Sequence, residues 1–342
     1  MPLLPPELIN KALKLNLLRV NGTPQVAAHS IDLSITNAIW NGKNRKAEIP
    51  QEGFILEPQQ QYKVKLDSRL FLAQGLIGEI TTRSSYARLG IQVDPQPSIE
   101  NLFGTWRDRG FTAICNLETF GTQVRIRPYE HLAQIFIHTQ LETMLANEIK
   151  DAMDSEDLIV YDKGHKLDRT NASFGEALEL HMEDLIYVYK KGRILDPQDK
   201  DHSEDFETVN LRHHPKGYYL PKGAFFISSC RERFATSNRC VAYVTPTINL
   251  RPAMTKTNFP DPKHFTRFPF LTHPNAPYHA YGLRHLQQMT FENYVTEPEG
   301  VYLHADCKQA ELVLVPFLTP SSQEIESRYT GQIGATLRRP EQ

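Results

Sequence analysis

Residues 62–93 read YKVKLDSRLFLAQGLIGEITTRSSYARLGIQV. Tyr62-Lys63-Val64-Lys65-Leu66 alternates apolar and charged side chains, the period of a strand with one face buried. Residues 76–82, LIGEITT, make a second β-rich run. The chain then breaks into Arg83-Ser84-Ser85-Tyr86-Ala87-Arg88-Leu89-Gly90, a turn that brings two guanidinium groups and two hydroxyls together. Arginine is a planar two-pronged donor suited to phosphate, and serines add short hydroxyl donors, so the turn suits the phosphates of a nucleotide. A solvated turn that caps a short helix is the plainer reading of the same residues.

Outward from this stretch the texture persists. On the N-terminal side lie HSIDLSIT (29–36) and GFILEP (53–58); beyond it come FTAICNL (111–117), TQVRIRP (122–128) and HLAQIFIHT (131–139). Short strands separated by turn residues predict an all-β sandwich or barrel. One short helix opens the chain, where Pro5 and Pro6 precede Leu8, Ile9, Ala12 and Leu13 at helical spacing. Residues 146–172 are acid-rich and begin with helical periodicity, which predicts a helical linker. Strand texture then resumes in ALELHME (177–183), LIYVYKK (185–191), YYLPKGAFFISS (218–229), CVAYVTP (240–246), MTFENYV (289–295), GVYLHAD (300–306) and AELVLVPF (310–317).

The two halves repeat one another. Ile31-Asp32-Leu33 corresponds to Leu178-Glu179-Leu180, and Tyr62–Arg83 to Tyr218–Thr247, the pattern of a tandem duplication. A length of 342 residues suits two domains. Their expected limits are 1–145, the linker 146–172, 173–318, and a tail over 319–342. Residues 252–277, rich in Pro, Phe and His, read as a long ordered loop.

Composition narrows the function classes. The chain is 40% hydrophobic and 23% charged, with a net charge of −2. A near-neutral surface argues against coating nucleic acid, although a local anion pocket fits it. No apolar stretch approaches the roughly 20 residues of a membrane span, and the N-terminal residues lack a signal-peptide pattern; a cytoplasmic location is expected. Cys115, Cys230, Cys240 and Cys307 show no CxxC pairing, which predicts reduced, buried thiols and argues against structural zinc. His131 and His138 beside a strand, and His273, His279 and His285, read more simply as hydrogen-bonded packing than as metal ligands.

RSSYARLG resembles the signature of the dCTP deaminase branch of the trimeric dUTPase superfamily. HSIDLSIT is similar to that family's early strand, RPYEHLAQIFI to its RPGMxIAQLxF strand, and RYTGQIGATLR (328–338) to the tail that covers its nucleotide. The Gly-rich tail of the dUTPases is absent. The resemblance implies two tandem dUTPase-like (β-clip) barrels, hydrolytic deamination of dCTP to dUTP and ammonia, and Mg²⁺ arriving on the triphosphate. It implies a homo-oligomer as well, with a trimer favoured. The HxE and PCxxC motifs of zinc deaminases are missing, and the family works without zinc, with a strand Glu activating water.

In the first half, Ile114 stands where that Glu is expected. In the second, Thr290-Phe291-Glu292-Asn293 restores the acid, while Thr247-Ile248-Asn249 replaces the Arg-Ser-Ser run. Each half lacks what the other keeps, so a composite site is expected: Glu292 as general base, Ser84 and Arg88 positioning water and base, and Arg83 and Ser85 on phosphate. Tyr329, Gln332 and Arg338 of the tail would close over the nucleotide, and Asn275 and Tyr278 would line the base pocket. Two rivals remain. One is dUTP or dCTP diphosphatase activity, alone or with deamination, for which Asp94 is the nearest carboxylate. The other is a nucleotide-binding regulator without turnover.

Overall fold

The computed structural model describes residues 3–20, 26–27, 30–41, 46–58, 60–73, 75–96, 114–119, 121–139, 146–175, 177–199, 201–246, 270–274, 278–279 and 286–322. In the N-terminal half helix α1 (Pro6–Lys14) precedes β1 (Leu18–Val20), β2 (Val26–Ala27), β3 (Ser30–Leu33), β4 (Ile35–Asn41), β5 (Lys46–Glu48), β6 (Phe54–Leu56), β7 (Tyr62–Leu66), β8 (Leu70–Leu72) and β9 (Ile77–Thr82). The short helix α2 (Ser84–Ala87) follows, then β10 (Ile91–Gln96), β11 (Ile114–Thr119), β12 (Gln123–Ile126) and β13 (Ala133–His138). The C-terminal half begins with α3 (Ala146–Asp154), β14 (Leu158–Asp162), β15 (His165–Leu167), β16 (Leu178–Tyr189), β17 (Ile194–Leu195), β18 (Phe206–Asn210) and β19 (Tyr218–Leu220). It continues through β20 (Phe225–Thr236), β21 (Cys240–Pro246), β22 (Phe270–Pro274), β23 (Tyr278–His279), β24 (Gln287–Val295), β25 (Val301–Leu303) and β26 (Lys308–Pro316). The chain is all-β, as its alternating runs predict.

The pairing of strands exposes the duplication. In the first half β3 pairs β13, which pairs β9; in the second the start of β16 pairs β26, which pairs β21. Likewise β4–β7–β11 is matched by β16–β20–β24, and β6–β12 by β19–β25. Even the irregularities recur. The ladder of β4 and β7 shifts between Ile35 opposite Leu66 and Ile39 opposite Val64; that of β16 and β20 shifts between Met182 opposite Cys230 and Ile186 opposite Ser228. A bulge re-aims every later side chain, so its repetition fixes residue equivalences between the halves.

The segment 146–172 has a definite place in this plan. Helix α3 buries Ile149, Ala152 and Met153 in one core with Leu158, Val160 and Leu178, and leads into β14. Helix α1 does the same with Ile9 and Ala12 and leads into β1. Each half thus has a helix whose apolar face packs into a core ahead of its first strand.

The repeats are packed together. Phe225, Ile227, Tyr294, Tyr189 and Leu195 of the second half belong to the hydrophobic core of the first. Strand β17 runs parallel to β12, and beside it Arg127 forks onto both oxygens of Asp196 at 2.8 and 2.6 Å. Leu3 bridges to both His138 and Phe317, joining the last described strands of the two repeats. The four cysteines are buried and none forms a disulfide. Among the described residues no helix is long and apolar enough to cross a membrane.

Candidate active site between the repeats

Strand β9 ends at Thr82, and the chain turns because the Arg83 carbonyl accepts from the Tyr86 and Ala87 N–H groups at 2.9 and 3.1 Å. Gly90, at φ +84°, ends the turn in a left-handed conformation that suits glycine. Tyr86 and Leu89 anchor the turn in the core. The buried Thr122 hydroxyl donates to the Leu89 carbonyl at 2.6 Å. With these groups fixed, Ser85 and Arg88 are left partly buried between core and surface.

Arg83 is committed inward. Its Nη2 lies 3.0 Å from Oδ2 of Asp32, whose side chain is only 4% exposed. This ion pair ties the turn to β3, leaving the remaining guanidinium N–H groups for other acceptors. The side chain of Ser84 and the residues Tyr329, Gln332, Arg338, Thr247, Ile248, Asn249 and Asn275 lie outside what is described, as do the side chains of Asp94, Tyr278, His273 and His279, and residue His285. His131 is partly buried, and the buried His138 places Nε2 3.3 Å from Glu79. Among the described residues no three His, Cys, Asp or Glu side chains converge as a metal site.

The second repeat approaches the same turn. Gly121 sits at φ +72°, and a Cβ there would lie 2.7 Å from the Gly223 carbonyl oxygen and 3.1 Å from the Tyr294 ring. The backbones of the repeats thus meet one residue before Thr122, which holds the turn, and Tyr294 covers the contact. Glu292 is two residues before Tyr294 on β24 and shares its face, about 6.6–6.8 Å further along.

Glu292 is 3% exposed, and neither carboxylate oxygen finds a hydrogen-bond partner on another of the described residues. Burial pushes its pKa well above the ordinary carboxylate value; the opposing pulls come from the Arg88 guanidinium and, less, from its own backbone N–H. An Arg in the first repeat therefore acts electrostatically on an acid in the second. Asn293, adjacent on the strand but on the opposite face, makes the contrast. Its amide donates to Ser228 Oγ at 2.9 Å and to the Phe291 carbonyl at 3.2 Å. The amide is satisfied structure, whereas the acid is left with unmet hydrogen-bonding capacity at a cost of about 1–3 kcal/mol or more.

The shared bulge corrects one expectation. In β20–β24, Ile227 faces Glu292 and Ser229 faces Thr290; in β7–β11, Lys63 faces Asn116 and Lys65 faces Ile114. With Val64 equivalent to Ser228, Lys63 matches Ile227 and Asn116 matches Glu292. Ile114, 42% exposed, is the counterpart of Thr290 instead. The conclusion that the first repeat lacks the acid survives, with an amide in its place that cannot take up a proton at ordinary pH. Counting along the sequence missed Asn116 by two residues, and only the ladder could have found it.

No protein-family model matches this sequence, and neither does any curated protein sequence. Among solved structures, the 2'-deoxycytidine 5'-triphosphate deaminase from Agrobacterium tumefaciens is similar, with a TM-score of 0.71 at 17% identity, over 93% of this chain and 99% of that one. The fold is that of the dUTPase-like proteins.

Proposed function

We propose that this chain is a deaminase of dCTP, converting it with water to dUTP and ammonia at a composite site between the repeats. The observation that carries this reading is Glu292: a buried carboxylate with no hydrogen-bond partner on another described residue, facing the repeat that holds RSSYARLG, under the pull of Arg88. The similarity to a dCTP deaminase along nearly the whole chain supports the choice of substrate.

In this mechanism water attacks C4 of cytosine, a C4–O bond forms, and Glu292 takes the proton that water loses. Glu292 passes that proton to the ring nitrogen, then takes the second proton from the oxygen on C4 as the C4=O bond forms and gives it to the amino group; the C4–N bond breaks and ammonia leaves. A carboxyl with a raised pKa is suited to both duties, being a strong base when ionised and a ready acid when protonated. Arg88 keeps the ionised form within reach and, with Ser84, positions water and base. Arg83 and Ser85 meet the phosphates, whose Mg²⁺ comes with the substrate and not from a protein site. Tyr329, Gln332 and Arg338 close over the nucleotide. We further propose one barrel to about residue 145 and a second from α3 to 318, in a cytoplasmic homo-oligomer, a trimer by the family resemblance.

Incubation with dCTP, with product separation and an ammonia assay, tests the reading. Deamination retains the triphosphate, whereas a diphosphatase releases pyrophosphate. Glu292→Gln is expected to lower kcat by about 10³-fold, within the usual range for a general acid/base. Undiminished ammonia release by this variant would remove Glu292 from the mechanism.

A further inference from the structure

The two repeats present equivalent faces of one strand pair, and they differ where the proposed chemistry occurs. On the first repeat the face carries Lys63, Lys65, Ile114, Asn116 and Glu118; on the second the same positions are Ile227, Ser229, Thr290, Glu292 and Tyr294. Ile227 and Tyr294 are explained by packing, since both join the first repeat's core. Ser229 and Thr290 are not. They stand directly opposite one another, 1% and 3% exposed, on the face of Glu292. A buried contact made only for packing gains nothing from hydroxyls, because burying a polar group costs free energy that an apolar side chain avoids.

We propose that Thr290 and Ser229 hold the attacking water against Glu292 as acceptors of its second proton. This rests on the deaminase reading. A water that attacks C4 through one lone pair and gives one O–H to Glu292 has a second O–H that needs an acceptor. Arg88 cannot serve, since a guanidinium only donates. The Thr290 hydroxyl can, and its own proton can then turn to Ser229 Oγ across the ladder. Residues two apart on a strand have Cα atoms about 6.6–6.8 Å apart, a little more than the roughly 5–6 Å that two hydrogen bonds through one water span, so the longer Glu292 side chain has to lean along the strand toward Thr290 for the two to share a water. Among the described residues the carboxylate of Glu292 makes no direct bond to another residue. In the reaction the water's first proton passes to Glu292 as the C4–O bond forms and on to the ring nitrogen; the second stays on oxygen, held by Thr290, until the carbonyl develops, when it passes through the freed Glu292 carboxylate to the amino nitrogen, C4–N breaks and ammonia leaves.

The test compares Thr290→Val, Thr290→Ser and Ser229→Ala with wild type in dCTP kinetics, pH profiles and thermal melts. Thr290→Val, nearly isosteric, should lower kcat at least about 10-fold, toward the lower end of general acid/base effects, with KM little changed. Thr290→Ser should retain most of the rate, and Ser229→Ala should lose less than the valine variant. Melting temperatures should stay level or rise, and the kcat–pH midpoint set by Glu292 should stay in place. A merely structural role would instead lower the melting temperature with the rate, and that result overturns the proposal, as does a Thr290→Val rate within about twofold of wild type. A wild-type protein that releases no ammonia from dCTP would overturn the deaminase reading and this proposal with it; an active wild type with unaffected variants overturns this proposal alone.

Discussion

Strands β7 and β11 of the first repeat and β20 and β24 of the second share a register and a bulge, yet their equivalent faces have opposite fates. The first is exposed at Lys63, Lys65 and Ile114; the second is sealed against the neighbouring repeat by Phe225, Ile227 and Tyr294. Burial turns an ordinary strand position into one where a carboxyl changes its chemistry. Glu292 has a raised pKa because the first repeat excludes water from it, whereas its counterpart Asn116 lies on the exposed face. The proposed chemistry therefore depends on which face is covered as much as on which residues it carries.

The strongest way to break the comparison is to remove the cation that crosses it. Arg88 lowers the pKa of Glu292 against the upward push of burial. In Arg88→Leu the acid should hold its proton to higher pH. The limb of the kcat–pH profile that requires ionised Glu292 should move upward, and the rate at neutral pH should fall by about 10²-fold. A pH–rate series on wild type and variant checks this, and a profile that stays in place would mean that Arg88 acts on substrate alone.

A smaller effect is expected where the repeats touch. Gly121 combines a left-handed φ with a space in which a Cβ would meet the Gly223 carbonyl at 2.7 Å. Gly121→Ala should cost about 1–3 kcal/mol of stability from backbone strain alone, measurable by chemical denaturation. Activity per folded molecule should drop as well, because Tyr294 and with it Glu292 must move away from the turn. The same substitution at Gly75, which has an equally unusual φ of +88° but open space around it, separates backbone strain from loss of the contact.

Much of this is legible in the sequence. Period-two alternation in residues 62–66 gives β7, turn residues give the strand boundaries, and the echo of Ile31-Asp32-Leu33 in Leu178-Glu179-Leu180 is realised as equivalent positions on β3 and β16. Glu292 and Arg88 are both nameable from their motifs. What sequence cannot supply is register across a ladder, so the partner of Glu292 in the first repeat is misplaced on Ile114 until the bulges align the strands. Nor does sequence say which face is covered. Ser229 and Thr290 are unremarked hydroxyls in a β-rich run, and Gly121 is one turn glycine among several. Their significance arises from packing between segments about sixty to more than a hundred residues apart, which no local pattern records.

The smallest expected effect is also the one that most sharpens the comparison. If the acid were all that the first repeat lacks, Asn116→Glu would restore a site there. The structure argues otherwise, because Asn116 lies on a face that the chain itself leaves open, flanked by exposed Lys63 and Lys65, and the second repeat has Thr247-Ile248-Asn249 in place of Arg-Ser-Ser. A new Glu there would be solvated beside lysines, with an ordinary pKa and no Arg88 equivalent. Asn116→Glu should therefore change kcat by no more than about twofold, as for a surface substitution. Introduced into the Glu292→Gln background, it should recover no ammonia release. Recovery would mean that the first repeat's face is covered in the assembled protein and carries a second site of its own.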